Sequence, residues 1–471
     1  MHTQVLIAGA GPTGLTLAID LARRNIPVRI IDRATEFFAG SRGDGIQPRT
    51  LEVFDDLGVL DAVHRAGAPT PVIRAYSGNQ FAGEHRMAEP VEPTPAVPYP
   101  NPWVLGQSHT EAILRDRLAE FGVRVELATA LVTFEQDETG VEVELAHDGV
   151  VETLRVAYLV GADGGKSTVR KMLGIAFEGS TDDSIRMLLG DVSADALDHD
   201  YGYWFAAAGR PMDGIVLSPL PGGSQFQFGA PLDTDAEPTL ELLQQFVDRY
   251  AGDLDIVLTD LTWATVWRPN IRLAQRFREG RVFLAGDAAH VHPPTGGQGM
   301  NTGVQDAYNL GWKLAAAVAG DQSLLDSYES ERRAVAARVL GISTELLDKL
   351  VDGAEDAMQR GEQTRQLDIS YRDPVDPGVL VAGDRAPDAP VKDADGRPIR
   401  LFDLFRGPHA TLLSFGETDV PPEPGVEVYR VIRPGDKATG PYVVDVDGHA
   451  FAAYDAVDGT TVRIRPDGYL G

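Results

Sequence analysis

The chain has 471 residues, a formal net charge of −28 and no cysteine. This length can hold two or three domains with a large buried core. The charge makes nucleic acid and anionic membranes poor partners, and the lack of cysteine excludes disulfides, thiolate metal sites and a flavin attached through cysteine. Met1-His-Thr-Gln leads directly into an apolar run, so we expect no signal peptide and a cytoplasmic location.

The apolar run from Val5 to Ala8 predicts a buried parallel strand. A glycine-rich turn follows it. Three glycines come next in the pattern G-x-G-x-x-G: Gly9, Gly11 and Gly14. A helical pattern leads on to a second strand, Val28 to Ile31, which ends at Asp32. Glycines at these positions allow a tight turn and the close approach of a pyrophosphate, and the acid suits a ribose hydroxyl. The unit predicts a site for an adenine dinucleotide.

The next segments alternate between helical and extended patterns. We expect helices over 50–57, after Pro48, and over 106–121, and strands over 123–127, 141–145 and 151–160. Six prolines lie between Glu89 and Pro102. They favour a stiff extended connector, with a loop at the border of a substrate cavity as the alternative.

A second Asp-Gly motif, Asp163-Gly164, precedes a change of pattern near Arg170. From there to about Arg268, short strands rich in aromatic residues predict a substrate domain. Eight of its large aromatic residues are Tyr201, Tyr203, Trp204, Phe205, Phe226, Phe228, Trp263 and Trp267. Most such rings belong to a core, so we expect about two to four of them to contact a substrate. Our candidates are Tyr203, Trp204, Phe226 and Phe228.

The third motif lies between Arg281 and Gly303, where a strand over 282–285 ends in Gly286-Asp287. A glycine-rich loop follows and leads into a helix that begins near Gly299. An acid at a strand end can bind sugar hydroxyls, and a helix N-terminus carries partial positive charge. Apart from Asp287, no cysteine or nearby carboxylate completes a ligand set around His290 and His292, so we expect no metal site.

Together, the three motifs resemble the FAD domain of the group A flavoprotein monooxygenases, which have the p-hydroxybenzoate hydroxylase fold. The nearest likeness is to bacterial aromatic polyketide hydroxylases. It covers about the first 375 residues and, more loosely, the tail that begins near Val379. The resemblance implies an α/β fold with a Rossmann-like FAD-binding domain, an interleaved antiparallel-sheet substrate domain and a thioredoxin-like C-terminal domain without cysteines. The implied boundaries are 1–75, 103–170 and 271–375 for FAD binding, 76–102 and 171–270 for substrate, and 380–471 for the tail.

The resemblance also implies roles for single residues. The turn glycines would hold the FAD pyrophosphate, Asp32 and Arg33 the adenosine end, and Asp287 the ribityl chain. Arg42 and Gln107 would contact the cofactor from neighbouring loops, and Asp163 would serve FAD and NAD(P)H binding. The isoalloxazine would be lined by Pro294, Gly296, Gly297, Gly299, Met300 and Asn301.

By the same resemblance, FAD is bound without a covalent link and NAD(P)H is a transient co-substrate. A phenolic or polycyclic aromatic substrate would be hydroxylated with O₂ through a flavin C4a-hydroperoxide. No catalytic base is identified, and the choice between NADH and NADPH stays open. Two alternatives remain: Baeyer–Villiger or related oxygenation on the same fold, and an aromatic-ligand binding protein without catalysis. We expect a monomer or a homodimer, an antibiotic-type polyketide substrate and a structural or assembly role for the tail.

Overall fold

The computed structural model describes residues 3–78, 80–354, 356–372, 380–417, 420–438 and 440–471. The chain forms two compact units. The first unit comprises residues 1–47, 61–89 and 102–364, and the second comprises residues 48–60, 90–101 and 365–471. The predicted domain end at residue 375 and the predicted tail start at Val379 lie outside the described residues. The fold is mixed α/β, as predicted.

Helices occur in both units. In chain order they are α1 Pro12–Arg23, α2 Pro48–Asp56, α3 Leu60–Ala66, α4 Gln107–Glu120, α5 Thr168–Met172, α6 Leu240–Ala251, α7 Gly299–Val318, α8 Leu325–Val351, α9 Leu401–Phe405 and α10 His449–Ala453. Single 3₁₀ turns are Gly252–Leu254, Gly286–Ala288, Pro294–Gly296 and Glu362–Thr364. Within the described ranges, no helix combines the length and apolarity needed to cross a bilayer.

The strands of the first unit are numbered in chain order. They are β1 Val5–Ala8, β2 Val28–Ile31, β3 Gly45–Ile46, β4 Ala68–Pro69, β5 Val72–Ser77, β6 Gln80–His85, β7 Trp103–Val104, β8 Val125–Glu126, β9 Thr129–Gln136, β10 Val141–His147, β11 Val150–Val156, β12 Tyr158–Gly161, β13 Phe177–Thr181, β14 Met187–Ser193, β15 Tyr201–Ala207, β16 Arg210–Pro219, β17 Gln225–Pro231, β18 Thr259–Trp267, β19 Asn270–Ala274, β20 Arg278–Glu279, β21 Val282–Leu284 and β22 His290–Val291.

A six-stranded sheet in the order β20-β21-β12-β1-β2-β8 forms the base of the first unit. Strands β21, β12, β1, β2 and β8 are mutually parallel. The carboxyl ends of parallel strands lie at one edge of a sheet, which is where ligands bind in open α/β sheets. The three sequence motifs follow β1, β12 and β21, and Asp32 follows β2. The topology therefore brings all of them to one edge.

Helices α1 and α7 pack closely because α7 presents glycines to α1. A Cβ atom on Gly303 would lie 2.3 Å from Thr13 Oγ1, and one on Gly311 would lie 2.2 Å from Asp20 Oδ2. Asp20 is fully buried and pairs with Arg23 in the last turn of its helix and with Arg24 just after it. Since α1 follows the first motif and α7 follows the third, this contact fixes the two motifs relative to each other.

A seven-stranded sheet in the order β18-β14-β17-β16-β15-β5-β6 contains most of the aromatic segment. One of its faces packs against α6 through Leu243 and Val247 in a continuous hydrophobic core. Strand β5 belongs to this sheet and pairs in parallel with β15.

Two expectations about local structure are wrong. The single strand expected over 151–160 is two strands, β11 and β12, which belong to different sheets and are separated by Ala157. The proline-rich segment is not a simple extended connector, because it closes into a loop. Asn101 Nδ2 donates to Val91 O at 2.7 Å, and Val91 N donates to Asn101 Oδ1 at 2.8 Å.

The second unit has its own mixed sheet, in the order β24-β23-β27-β26-β25-β28. Its strands are β23 Pro390–Lys392, β24 Pro398–Arg400, β25 Ala410–Phe415, β26 Val426–Ile432, β27 Tyr442–Val444 and β28 Thr461–Ile464. Helix α2 also belongs to this unit, where buried Glu52 pairs with Arg385 and Arg49. Arg49 also donates to Asp467 O at 2.7 Å.

Candidate active site

The glycines of the first motif have different roles. Gly9 has φ +106°, and a Cβ there would lie 2.2 Å from Ala162 O. A Cβ on Gly14 would lie 2.0 Å from Gly9 O. Around Gly11, in contrast, a Cβ would meet no protein atom within 4 Å. Gly9 and Gly14 are therefore required by packing, whereas the space beside Gly11 is open to a ligand at the N-terminus of α1.

Asp32 lies beside this turn at the end of β2. Its Oδ2 accepts a hydrogen bond from Ala10 N at 2.9 Å, and its Oδ1 accepts one from Ala34 N at 2.9 Å. The carboxylate is half-buried, whereas Arg33 is exposed. Two backbone donors hold the acid against the glycine turn, which is the position that a ribose-binding acid needs.

The second motif connects the other two. Asp163 Oδ2 accepts from Thr168 N at 2.6 Å and Val169 N at 3.2 Å, so it caps α5. Arg170 donates to Ala288 O at 2.7 Å and to Gly165 O at 2.9 Å. Asp163 therefore stabilises a helix whose arginine binds the turn of the third motif. This is a supporting role that the Asp-Gly pattern alone does not reveal.

The turn after β21 packs on the start of α1. Gly286 has φ +60°, and a Cβ there would lie 2.5 Å from Thr13 Oγ1. The next residue, Asp287, is exposed to solvent. Even so, desolvation by the surrounding protein raises the pKa of its carboxyl; Asp306 raises it further, and His290 and Arg42 oppose the shift. The carboxyl of Asp287 is thus reached by solvent and at the same time surrounded by protein atoms.

A buried charged network holds this turn in place. Asp306 Oδ1 accepts from Arg332 Nε at 2.7 Å, and its Oδ2 lies 2.7 Å from His290 Nε2 and accepts from Gly286 N at 3.0 Å. The charges of His290 and Arg332 outweigh burial and lower the pKa of Asp306. All three side chains are at most 1 % exposed. The network joins α7 and α8 to the loop that carries Asp287.

His290 is therefore part of a protein-internal network. Its neighbour His292 lies within 3.0 Å of Pro293 O and 3.1 Å of Ser343 Oγ through Nδ1, and burial lowers the pKa of His292 to about 4. Among the described residues, no group of three or more His, Asp or Glu side chains is arranged to hold a metal ion.

The glycine-rich loop ends at the N-terminus of α7. Gly297 has φ +61°, and no side chain caps the helix. The backbone N–H groups of the first turn, at Gly299, Met300 and Asn301, have no carbonyl partner within the helix, as at any α-helix start. Pro294 and Gly297 are exposed, Gly299 and Met300 are half-buried and Gly296 is buried. This end of the helix can stabilise negative charge on a ligand.

The side chain of Asn301 is fully buried, and protein partners occupy both of its ends. Its Oδ1 accepts from Gln47 N at 2.8 Å, and its Nδ2 donates to Gly45 O and Gly297 O, each at 2.8 Å. Only the backbone of Asn301 remains for a cofactor. The side chain joins the loop at Gly45 to the start of α7.

Arg42 and Gln107 both interact with Glu111, which links them to the same site. Gln107 Nε2 donates to Glu111 Oε1 at 2.7 Å. Burial raises the pKa of Glu111; the charge of Arg42 opposes this shift and that of Asp32 adds to it. The charge of Arg42 also opposes the rise in the pKa of Asp287, so Arg42 is within electrostatic range of both carboxyls. Its guanidinium lies over the Phe38 ring, 4.4 Å from the ring centroid.

Three of the four substrate candidates are core residues. Tyr203, Phe226 and Phe228 are at most 4 % exposed and belong to the hydrophobic cluster beneath α6. We therefore exclude them from the candidate substrate surface. Alternation along the strands explains the error, since it shows that residues share a face but not which face is covered. Trp204 is half-buried and lies on the opposite face.

Comparison with known proteins identifies the class of site. Residues 2–343 match a family described as an FAD binding domain. The chain belongs to this FAD-binding family. Its flavin-dependent relatives include a flavin-dependent monooxygenase of Mycobacteroides abscessus, which is 45 % identical over 99 % of this chain and 96 % of the relative.

Two further relatives extend the comparison. A 12-dehydrotetracycline 5-monooxygenase/anhydrotetracycline 6-monooxygenase of Streptomyces rimosus is 32 % identical to this chain. The match covers 100 % of this chain and 95 % of that relative. The crystal structure of aklavinone-11 hydroxylase with FAD and aklavinone superposes with a TM-score of 0.81 at 28 % identity, covering 100 % of this chain and 95 % of the other. The predictions of FAD as cofactor and of an FAD-dependent monooxygenase are confirmed.

Proposed function

We propose that this FAD-dependent monooxygenase uses NAD(P)H and O₂ to hydroxylate a phenolic or polycyclic aromatic compound of the polyketide type. The main observation in support of the cofactor site is the open space beside Gly11, at the sheet edge where β1, β2 and β21 end. The substrate class is supported by relatives whose names specify tetracycline and aklavinone substrates.

FAD fits the residues at this edge. In our proposal Gly11 leaves room for the pyrophosphate, which the N-terminus of α1 attracts, and Asp32 binds the ribose of the adenosine end. Asp287 would bind the ribityl chain, and Arg42 and Gln107 would contact the cofactor. When bound, FAD supplies electron transfer from the nicotinamide and the activation of O₂.

The N-terminus of α7 has the main electrostatic role in this proposal. Its N–H groups at Gly299, Met300 and Asn301 would stabilise negative charge that develops on a bound flavin. These donors are fixed before any reaction because Asn301 is tied to Gly45 and Gly297. A fixed donor array stabilises charge without reorganising during the reaction.

The substrate surface that we propose is the face of the seven-stranded sheet opposite α6. Trp204 lies on this face, as does Trp263 through its pairing with Asp191. The ring of Trp204 suits a flat aromatic ligand, whereas Trp263 packs against Gly40 and Phe38. Their covered counterparts Tyr203, Phe226 and Phe228 stabilise the sheet from behind.

The predicted finer architecture also remains a proposal. We infer that the six-stranded parallel sheet is the Rossmann-like FAD-binding layer, the seven-stranded sheet is the substrate domain and the second unit is thioredoxin-like. The sheet of the second unit, with the parallel strands β25, β26 and β27 at its centre, supports that inference. Without cysteine the second unit has no thiol–disulfide chemistry, which favours a structural or assembly role. Cytoplasmic location and a monomeric or homodimeric state stay predictions.

A product assay tests this function. The purified protein is incubated with NADH or NADPH and a panel of phenols and polycyclic aromatic quinones, and products are identified by mass and structure. We expect substrate-stimulated NAD(P)H oxidation and a product heavier by one oxygen that carries a new hydroxyl group. A lactone or ring-cleaved product would contradict hydroxylation, and a substrate that binds without turnover would contradict catalysis on that compound class.

A further inference from the structure

A row of three side chains crosses adjacent strands on the face of the seven-stranded sheet opposite α6. Asp191 on β14 pairs with Trp263 on β18 and with Gln227 on β17. Paired residues of neighbouring strands point to the same face, so the three side chains lie side by side. All three contact one short segment, residues 38–41, which leads into Arg42.

Two of these side chains bind the backbone of a single residue. Ser41 N donates to Asp191 Oδ2 at 2.6 Å, and Gln227 Nε2 donates to Ser41 O at 2.7 Å. Trp263 packs beside them, because a Cβ on Gly40 would lie 2.6 Å from Trp263 Cβ and its ring meets that of Phe38 edge-on at 5.8 Å. The backbone N–H and C=O groups of Ser41 are thus both bound by side chains of the seven-stranded sheet.

We propose that Asp191 and Gln227 form a clamp on Ser41 that positions Arg42 beside Asp287 and Glu111. The proposal assigns Asp191 and Gln227 as positioning residues, since they act through the segment and not on a reacting atom. It concerns the orientation of Arg42 toward the cofactor and therefore rests on the proposed function of this site.

Burial of the Asp191 carboxyl lowers the stability of the fold. The residue is 1 % exposed, and its Oδ1 has no hydrogen-bond partner. Burial raises the pKa of Asp191 to about 7, and the charge of nearby Asp44 adds to that shift, while the Ser41 N–H opposes it. A buried acid with one unpaired oxygen destabilises the fold unless its other contacts compensate. Its clear contact is the clamp on Ser41.

The clamp holds the base of the segment in the protein interior, whereas Arg42 at its end reaches solvent. Ser41 is buried, but the next residue, Arg42, is exposed. Arg42 rests on the Phe38 ring, and Phe38 in turn touches Trp263. The same sheet therefore fixes Arg42 through the backbone of Ser41 and through the ring on which its guanidinium lies.

Limited proteolysis tests the clamp in the full-length protein. Trypsin cleaves after Arg42 only when the segment leaves the sheet, so cleavage there reports release. In apoprotein, Asp191→Ala should raise the cleavage rate after Arg42 roughly tenfold, because it removes the acceptor of the hydrogen bond from Ser41 N. Gln227→Leu should raise it too. Asp191→Asn should restore protection in part, since its amide oxygen can accept from Ser41 N.

Asp195→Asn is the matched control, since it removes an exposed carboxylate just beyond the end of the same strand. It should leave cleavage after Arg42 unchanged. Cleavage after exposed Arg463 in the second unit serves as the internal reference. An Asp191→Ala protein whose Arg42 and Arg463 sites are cleaved faster by the same factor would overturn the proposal, as would unchanged cleavage after Arg42.

Titration of the apoproteins with FAD separates this proposal from the proposed function. We expect Asp191→Ala to bind FAD several-fold more weakly than Asp195→Asn. Equal FAD affinity together with released Arg42 would refute the positioning role. If the wild-type protein itself fails to bind FAD, the cofactor assignment fails, whereas selective cleavage after Arg42 in Asp191→Ala would still support the clamp.

Discussion

Gly11→Ala separates a ligand-binding glycine from a packing glycine in one turn. The backbone at Gly11 has φ −74° and ψ −176°, which any residue can adopt, and the added Cβ would meet no protein atom within 4 Å. Alanine lowers the conformational entropy of the unfolded chain, which stabilises the fold by about 0.4–1 kcal/mol. It is also a poorer N-cap than glycine, which destabilises the fold by a similar amount. The free energy of unfolding of the apoprotein should therefore change by less than about 1 kcal/mol.

FAD binding should respond very differently. The new methyl group would occupy the space through which a pyrophosphate reaches the N–H groups at the start of α1. Losing one charge-assisted hydrogen bond costs about 1.5–3 kcal/mol, which corresponds to a Kd about 10- to 200-fold higher. Titration of apoprotein with FAD, followed by flavin fluorescence, measures this change.

Gly9→Ala is the matched control. It places a Cβ 2.2 Å from Ala162 O at a φ of +106°, so the backbone must shift and the residue is strained. We expect a loss of several kcal/mol in the free energy of unfolding, on the order of 3 or more, even without FAD. If well-folded Gly11→Ala protein binds FAD as tightly as the wild type does, the turn is not a pyrophosphate site. If the Gly9→Ala apoprotein is as stable as the wild type, the packing argument is wrong.

Three further changes test other parts of the structure. Asp287→Ala removes an exposed carboxylate, so the protein should fold but purify with little flavin; full flavin occupancy, measured by absorbance, would contradict the ribityl role. Arg385→Ala leaves buried Glu52 with Arg49 as its remaining charged partner, so chemical denaturation should show a loss of about 1.5–3 kcal/mol, whereas a change below about 0.5 kcal/mol would contradict the importance of this pair. Because the pKa of Asp191 is raised to about 7, its ionisation costs stability as pH rises from about 4 to 7. Asp191→Asn does not titrate, so its stability relative to wild type should rise across this window by up to roughly 4 kcal/mol, and parallel stability curves would show that Asp191 keeps an ordinary pKa.

Much of the cofactor edge could be predicted because its motifs are local. Gly9, Gly11 and Asp32 lie within one strand–helix–strand unit, and the strands β1 and β2 have the predicted bounds. The predicted helix near Gly299 begins at that residue. Short-range patterns of glycine, apolar runs and acids carry this information.

The parts that could not be predicted depend on contacts between distant segments. Asp191 meets Ser41 across 150 positions, and Asp306 meets Arg332 across 26 positions on two helices. Helix α8, which supplies Arg332, has a weakly amphipathic sequence, so its pattern does not show which residues face the core. For Tyr203 and Phe226, alternation left both faces of the sheet open, and only the position of α6 decides which face is the core.

The most direct test of the central claim is the visible spectrum of the purified protein, taken before and after addition of NAD(P)H and an aromatic substrate under air. We expect flavin bands near about 370 and 450 nm, bleaching by NAD(P)H that the substrate accelerates, and a product that gains one oxygen as a hydroxyl group. A colourless protein that FAD cannot reconstitute would contradict the cofactor site, and a flavoprotein that oxidises NAD(P)H without oxygenating any aromatic compound of the panel would contradict the proposed hydroxylation.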